Sequence, residues 1–154
     1  MDKQRAIEAL NRNLALEYGS AIQYLQHSYL VQGVERETFA PFFAQQADGS
    51  LGHAKKLGEK IVALGGVPTV EPAPVQQAGT LEEMLQQDLA RERESVRAYT
   101  EAYAVVEDDV ALRVLLEGLI YADQSDVEEL EKLLGQRTAA AARPSNRRQR
   151  AVGS

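Results

Sequence analysis

Glu17, Ser50, His53, Glu92, Asp123 and Asp126 stand out because they put polar groups where a helix should be apolar. Residues at three- and four-residue spacing share one helix face. Followed that way, a first segment reads Ile7, Leu10, Leu14, Glu17, Ala21, Tyr24. A second reads Phe39, Phe43, Ala47 (or Gln46), Ser50, His53 (or Ala54), Leu57, Ile61, Leu64. A third reads Leu81, Leu85, Leu89 (or Asp88), Glu92, Val96 (or Ser95), Tyr99, Tyr103, Val106. A fourth reads Leu112, Leu116, Leu119, Asp123, Asp126 (or Val127), Leu130, Leu134. Each stripe is broken near its middle. One such break is commonly a side chain rotated toward solvent; four at similar depth point to a shared site. A buried carboxylate costs several kcal/mol unless it is protonated, paired or bound to a cation. No Lys or Arg breaks these stripes to pair with the acids. A divalent cation with carboxylate and imidazole ligands would supply the missing charge. Tyr24 and Tyr99 lie two turns beyond Glu17 and Glu92, as core fillers or as groups that orient a ligand carboxylate.

The segments that must position these groups are rich in Ala, Leu, Glu, Gln, Lys and Arg, which lose little freedom in a helix. The pattern predicts helices at about Lys3–Gln32, Thr38–Leu64, Leu81–Val106 and Asp109–Leu134. Gly33 and Gly65-Gly66 suit left-handed C-caps. Thr80 with Glu83 reads as a capping box, and Asp108-Asp109 can end the third helix and cap the fourth. Short connections make the first and last pairs antiparallel hairpins. Between them runs GGVPTVEPAPVQQAG, whose three prolines favour an extended path long enough to cross the bundle. The expected architecture is all-α: a four-helix bundle over residues 1–136 with one long crossover between the second and third helices. Residues 137–154, Arg-rich and nearly without large apolar groups, read as a disordered tail. Gly49, Gly52 and Gly58 interrupt the second helix, which predicts either close helix packing or a local distortion that re-aims His53.

Composition narrows the chemistry. The chain has 154 residues, no cysteine, two histidines and a net charge of −6. Thiolate zinc sites, iron–sulfur clusters, cysteine nucleophiles and a three-His zinc site are excluded. The negative charge argues against nucleic-acid binding by the whole domain. The opening MDKQRAIEAL lacks a secretory layout, and the longest apolar run, Ala102–Val106, is far too short for a membrane span. A cytoplasmic protein is expected.

The motifs resemble the ferritin-like superfamily, and within it the bacterioferritins, over residues 3–135. That family's site uses a Glu from each of two helices and a Glu-x-x-His from each of the other two. LALEYGSAIQYLQHS is similar to the first helix, with Glu17 as a lone ligand, and TLEEMLQQDLARERESVRAY to the third, with Glu92 as the other. SLGHAKKL matches the second helix with His53 as ligand, and ADQSDVEELEKLL the fourth, with Asp123 and Asp126 in the Glu-x-x-His positions. The departures are Ser50 in place of a Glu, Asp123 in place of a Glu, and Asp126 in place of a His. Haem, which bacterioferritins bind through a Met in the second-helix motif, is not expected, because that position is Leu51.

The resemblance implies an iron or other divalent-metal protein, holding one or two ions through Glu17, His53, Glu92, Asp123 and Asp126. It implies iron storage or Fe(II) oxidation of ferroxidase type, with Asp123 bridging if two ions bind. It also implies a homo-oligomer, at least a dimer, to which Tyr18, Tyr29 and Phe42 would lend apolar surface. The alternative is a bundle that has lost metal chemistry and serves as an assembly or binding module.

Overall fold

A computed structural model of the chain describes residues 1–106 and 108–142, with side chains as far as Gly135. Its elements are α1 (Lys3–Leu30), α2 (Arg36–Ala63), α3 (Leu81–Val105) and α4 (Val110–Ala142). The helix starts follow local chemistry. The Asp2 carboxylate accepts from the Arg5 amide at the head of α1. Thr80 Oγ1 accepts from the Glu83 amide at the head of α3, while the Glu83 carboxylate accepts from the Gly79 amide, one residue before the reciprocal partner of a standard capping box. Asp109 Oδ1 accepts from the Leu112 amide at the head of α4.

Six boundaries differ from the expected ones, five by one or two residues and the end of α4 by more; two of the shifts have a clear local cause. α2 begins two residues early, at Arg36, because Gly33 turns the chain at φ +82° and its carbonyl accepts from the Arg36 amide. Arg36 then donates through Nη1 to the carbonyls of Ser28, Tyr29 and Val31, placing a cation on the negative end of α1. The expected tail also starts too soon: α4 runs through residues 137–142 to Ala142. Gly135 costs a helix only about 1 kcal/mol, and the alanine run after it has the highest helix propensity. The tail beyond Ala142 lies outside the described residues.

Contacts set the directions. Glu17 meets His53, and His27 packs on Phe43, so α1 and α2 are antiparallel. Arg12 bonds Glu101 while Gln23 bonds Asp88, so α1 and α3 are antiparallel too, which makes α2 and α3 parallel. The crossover therefore has to span the bundle, and it does so along α1. Asn11 holds Val67 and Thr69, the Ala15 carbonyl accepts from the Ala73 amide, and Gln23 accepts from the Gln76 amide. Gly19 makes this approach possible: a Cβ there would sit 2.8 Å from the Ala73 carbonyl oxygen. The glycines of α2 behave otherwise. The helix is unbroken, and a Cβ at Gly49, Gly52 or Gly58 would meet nothing within 4 Å, so neither close packing within the chain nor distortion explains them.

The core comes in two apolar clusters. One gathers Leu10, Leu14, Leu57, Ile61, Leu112, Leu116 and Leu119; the other gathers Phe43, Met84, Leu85, Val127 and Leu130. Along α1 the seam passes from Leu14 to Tyr24, and along α4 from Leu119 to Val127. The polar breaks lie between these two plugs, in a layer flanked by hydrocarbon on both sides.

Candidate metal centre

Glu17, Ser50, Glu92 and Asp123 are buried, while His53 and Asp126 are partly buried. Two sets of donor atoms converge, each within 4.8 Å: Glu17, His53 and Asp123, and Glu92, Asp123 and Asp126. Asp123 belongs to both. The structure thus brings together all five residues expected as ligands. Ser50 is buried one turn before His53, as the sequence phase requires, and adds no carboxylate.

The tyrosines are cross-bonded. Tyr99 on α3 donates to Glu17 Oε1 at 2.7 Å, and Tyr24 on α1 donates to Glu92 Oε1 at 2.8 Å. Each tyrosine follows one lone Glu by seven residues and grips the lone Glu of the opposite helix. Ser95 Oγ donates to Asp123 Oδ2 at 2.6 Å, fixing the shared carboxylate. His53 Nδ1 lies 3.2 Å from Glu17 Oε1 and 3.4 Å from Asp123 Oδ1.

Electrostatics follow from this crowding. Burial lifts the Glu92 carboxyl well above its ordinary range, and the charges of Asp123, Asp126 and Glu17 push the same way. Burial also raises Glu17, against the opposing bond from His53. Asp126 is pushed up to about 6 by burial and by Asp123. Burial alone would lower the His53 imidazole, but the bonds to Asp123 and Glu17 outweigh it and raise it to about 10. Protons here do what a cation would do, holding together anions that could not all be charged side by side. Four carboxylates against one imidazole, with aligned hydroxyl donors behind them, form a donor set that fits iron or another divalent metal.

A family model described as a ferritin-like domain matches residues 7–139. The chain belongs to the ferritin-like family. A relative from Synechococcus named nutrient stress-induced DNA-binding protein is 34% identical over 125 residues, covering 73% of this chain and 71% of the relative. A ferritin-like diiron-carboxylate protein of Bacillus anthracis superposes with a TM-score of 0.84 at 37% identity, over 87% of this chain and 98% of that one. The bacterioferritin of Rhodobacter capsulatus, solved with a metal-free dinuclear site and haem iron, superposes at 0.81 with 25% identity, over 88% and 87%. Family membership supports iron binding or storage as the coarse function, with iron or another divalent ion at the carboxylate and imidazole groups. Among the described residues, no helix is long and apolar enough to cross a membrane.

The sequence reading missed a second polar layer one turn away. His27 Nδ1 lies 2.9 Å from Asp88 Oδ2, and Gln23 Nε2 donates to Asp88 Oδ1 at 2.9 Å. Both side chains are fully buried, and His27 Nε2 has no hydrogen-bond partner among the described residues. Burial raises the Asp88 carboxyl, opposed by the bond to His27. The signal was available, since Asp88 is an alternative stripe position one turn before Glu92. His27 joins α1 to α3, and Gln23 extends the network to the crossover.

Proposed function

We propose that the bundle takes up Fe(II), or another divalent ion, at the seam and oxidises iron there with O₂ or peroxide as a step toward storage. The observation that carries this is the sharing of Asp123 by two converging donor groups, with no Lys or Arg among the described residues paired to them. Two divalent ions would balance four carboxylates. Glu17 and Glu92 would be terminal ligands, His53 the nitrogen ligand, Asp123 the bridge, and Asp126 a ligand beside solvent. Bound iron would supply the one-electron chemistry. The chain's own part is to hold the acids in place through Tyr24, Tyr99 and Ser95. The apolar clusters close the layer on either side, leaving water access only beside His53 and Asp126, and His53 can give up its proton as a cation arrives.

Ser50 leaves α2 without a carboxylate at the seam, so oxidation should be slower than in proteins with both Glu-x-x-His motifs intact. We extend the reading in two directions. The chain is a homo-oligomer, at least a dimer, joined through the α1–α2 face, where Ile22, Tyr29, Leu51 and Val70 are exposed. Tyr18 is half-buried beside them, and Phe42 packs its ring against Phe43, leaving it less free than expected. The same face does not suit haem: Leu51 offers no axial ligand, and Met84 is buried in the core.

Metal analysis of protein purified without chelator, followed by Fe(II) titration under air, tests the reading. It should show up to two ions per chain and ferric absorbance that grows with added Fe(II). Glu17→Ala should lower the metal content, and Ser50→Glu should raise it. If no metal is retained and Glu17→Ala changes nothing, the acids are not ligands and the bundle is an assembly module.

A further inference from the structure

We propose that the two halves of this centre are chemically unlike and sort two different metals. The position made by Glu17, His53 and Asp123 selects a borderline ion such as Fe(II) or Zn(II). The position made by Glu92, Asp123 and Asp126 selects a hard ion such as Mn(II). The inference rests on the metal-binding reading above and adds to it a division of labour.

The donor sets carry the argument. The first contains an imidazole nitrogen and two carboxylates; the second contains carboxylate oxygens alone. No other imidazole is available to even them out, because His27 is bonded to Asp88 and packed edge-on against Phe43 in the next layer. Nitrogen ligands steepen the affinity rise from Mn(II) through Fe(II) to Zn(II), whereas all-oxygen sites suit hard ions. Solvent access does not separate them: each position has two buried ligands and one partly open one, His53 in the first and Asp126 in the second, so donor type alone makes the difference. The asymmetry comes from the identity of residue 126: a His there would give each position one nitrogen.

The test uses the full chain, stripped of metal and loaded with Mn(II) alone. Electron paramagnetic resonance should show a spin-coupled pair. Equimolar Zn(II) should convert it to the hyperfine-split signal of an isolated Mn(II), with one Mn and one Zn retained per chain. Displacing the remaining Mn(II) should need at least about tenfold more Zn(II). Asp126→His should abolish this second step, so that both Mn(II) ions leave together. His53→Ala should abolish the first. If equimolar Zn(II) leaves a mixture of coupled pairs and empty chains, or if Asp126→His keeps the two-step profile, the sorting is overturned while metal binding stands. If the stripped protein retains neither ion, the metal-binding reading fails and this inference fails with it.

Discussion

Glu92→Gln should strengthen the metal-free protein and weaken the metal-loaded one. Glu92 is nearly inaccessible to solvent, and its carboxyl is raised by burial and by three neighbouring acids. A group whose folded pKa is raised contributes stability that is complete below the unfolded value of 4.5 and is lost as pH rises through the folded value. Between pH 4.5 and pH 7 that loss is at most about 3 kcal/mol, at 1.36 kcal/mol per pH unit. Glutamine removes the titration and keeps an oxygen to accept the Tyr24 hydroxyl. In chelator at pH 7 the variant should gain about 1–3 kcal/mol, and about 2–4 °C in Tm for each kcal/mol. At pH 4 the gain should vanish. With saturating Mn(II) or Zn(II) the order should reverse, because the parent gains RT ln(1 + [L]/Kd) and the variant lacks an anionic ligand. Urea unfolding at the two pH values, with and without metal, reads all three effects. A variant that is equally destabilised in every condition would show that Glu92 is held by packing and its hydrogen bond, not by the charge balance argued here.

Besides the loss from Glu92, metal-free protein should lose stability with rising pH as Asp126 titrates between about 4 and about 6 and as His53 titrates between about 6.5 and about 10. Thermal melts in chelator check this, and saturating metal should flatten both. Tyr99→Phe should loosen Glu17, and Tyr24→Phe Glu92, each costing about 1–3 kcal/mol for a buried carboxylate's lost donor. Calorimetric metal titration should show weaker binding in both. Gly49→Ala and Gly58→Ala should each stabilise α2 by about 0.5–1 kcal/mol, because the added methyl meets nothing. Gly19→Ala should destabilise by pushing the crossover off α1, a difference that denaturation midpoints will show. The acidic body should not retard DNA in a gel shift, and the same assay on the full chain at low salt reads any contribution from the arginines after Ala142.

The four helices and the crossover were legible because they depend on local rules. Helix propensity, a three-to-four-residue apolar period, capping residues and loop length act over a few positions each, and nothing elsewhere in the chain overrides them here. The same period exposed Glu17, His53, Glu92, Asp123 and Asp126 as misplaced polar groups on one seam. It could not say which of them meet. That Asp123 serves both donor groups, that Tyr24 grips Glu92 and Tyr99 grips Glu17, and that His27 pairs with Asp88 all depend on how far each helix slides along its neighbours. The three hydrogen-bonded pairs lie 61 to 82 positions apart in the chain. Their stagger is decided by how the two apolar clusters interlock above and below the polar layer, and by the crossover strapped along α1. The α2 glycines and the extended end of α4 misled the reading in the opposite direction. A glycine advertises freedom or close contact in sequence, but only the surrounding space, set by tertiary packing, decides whether either is used.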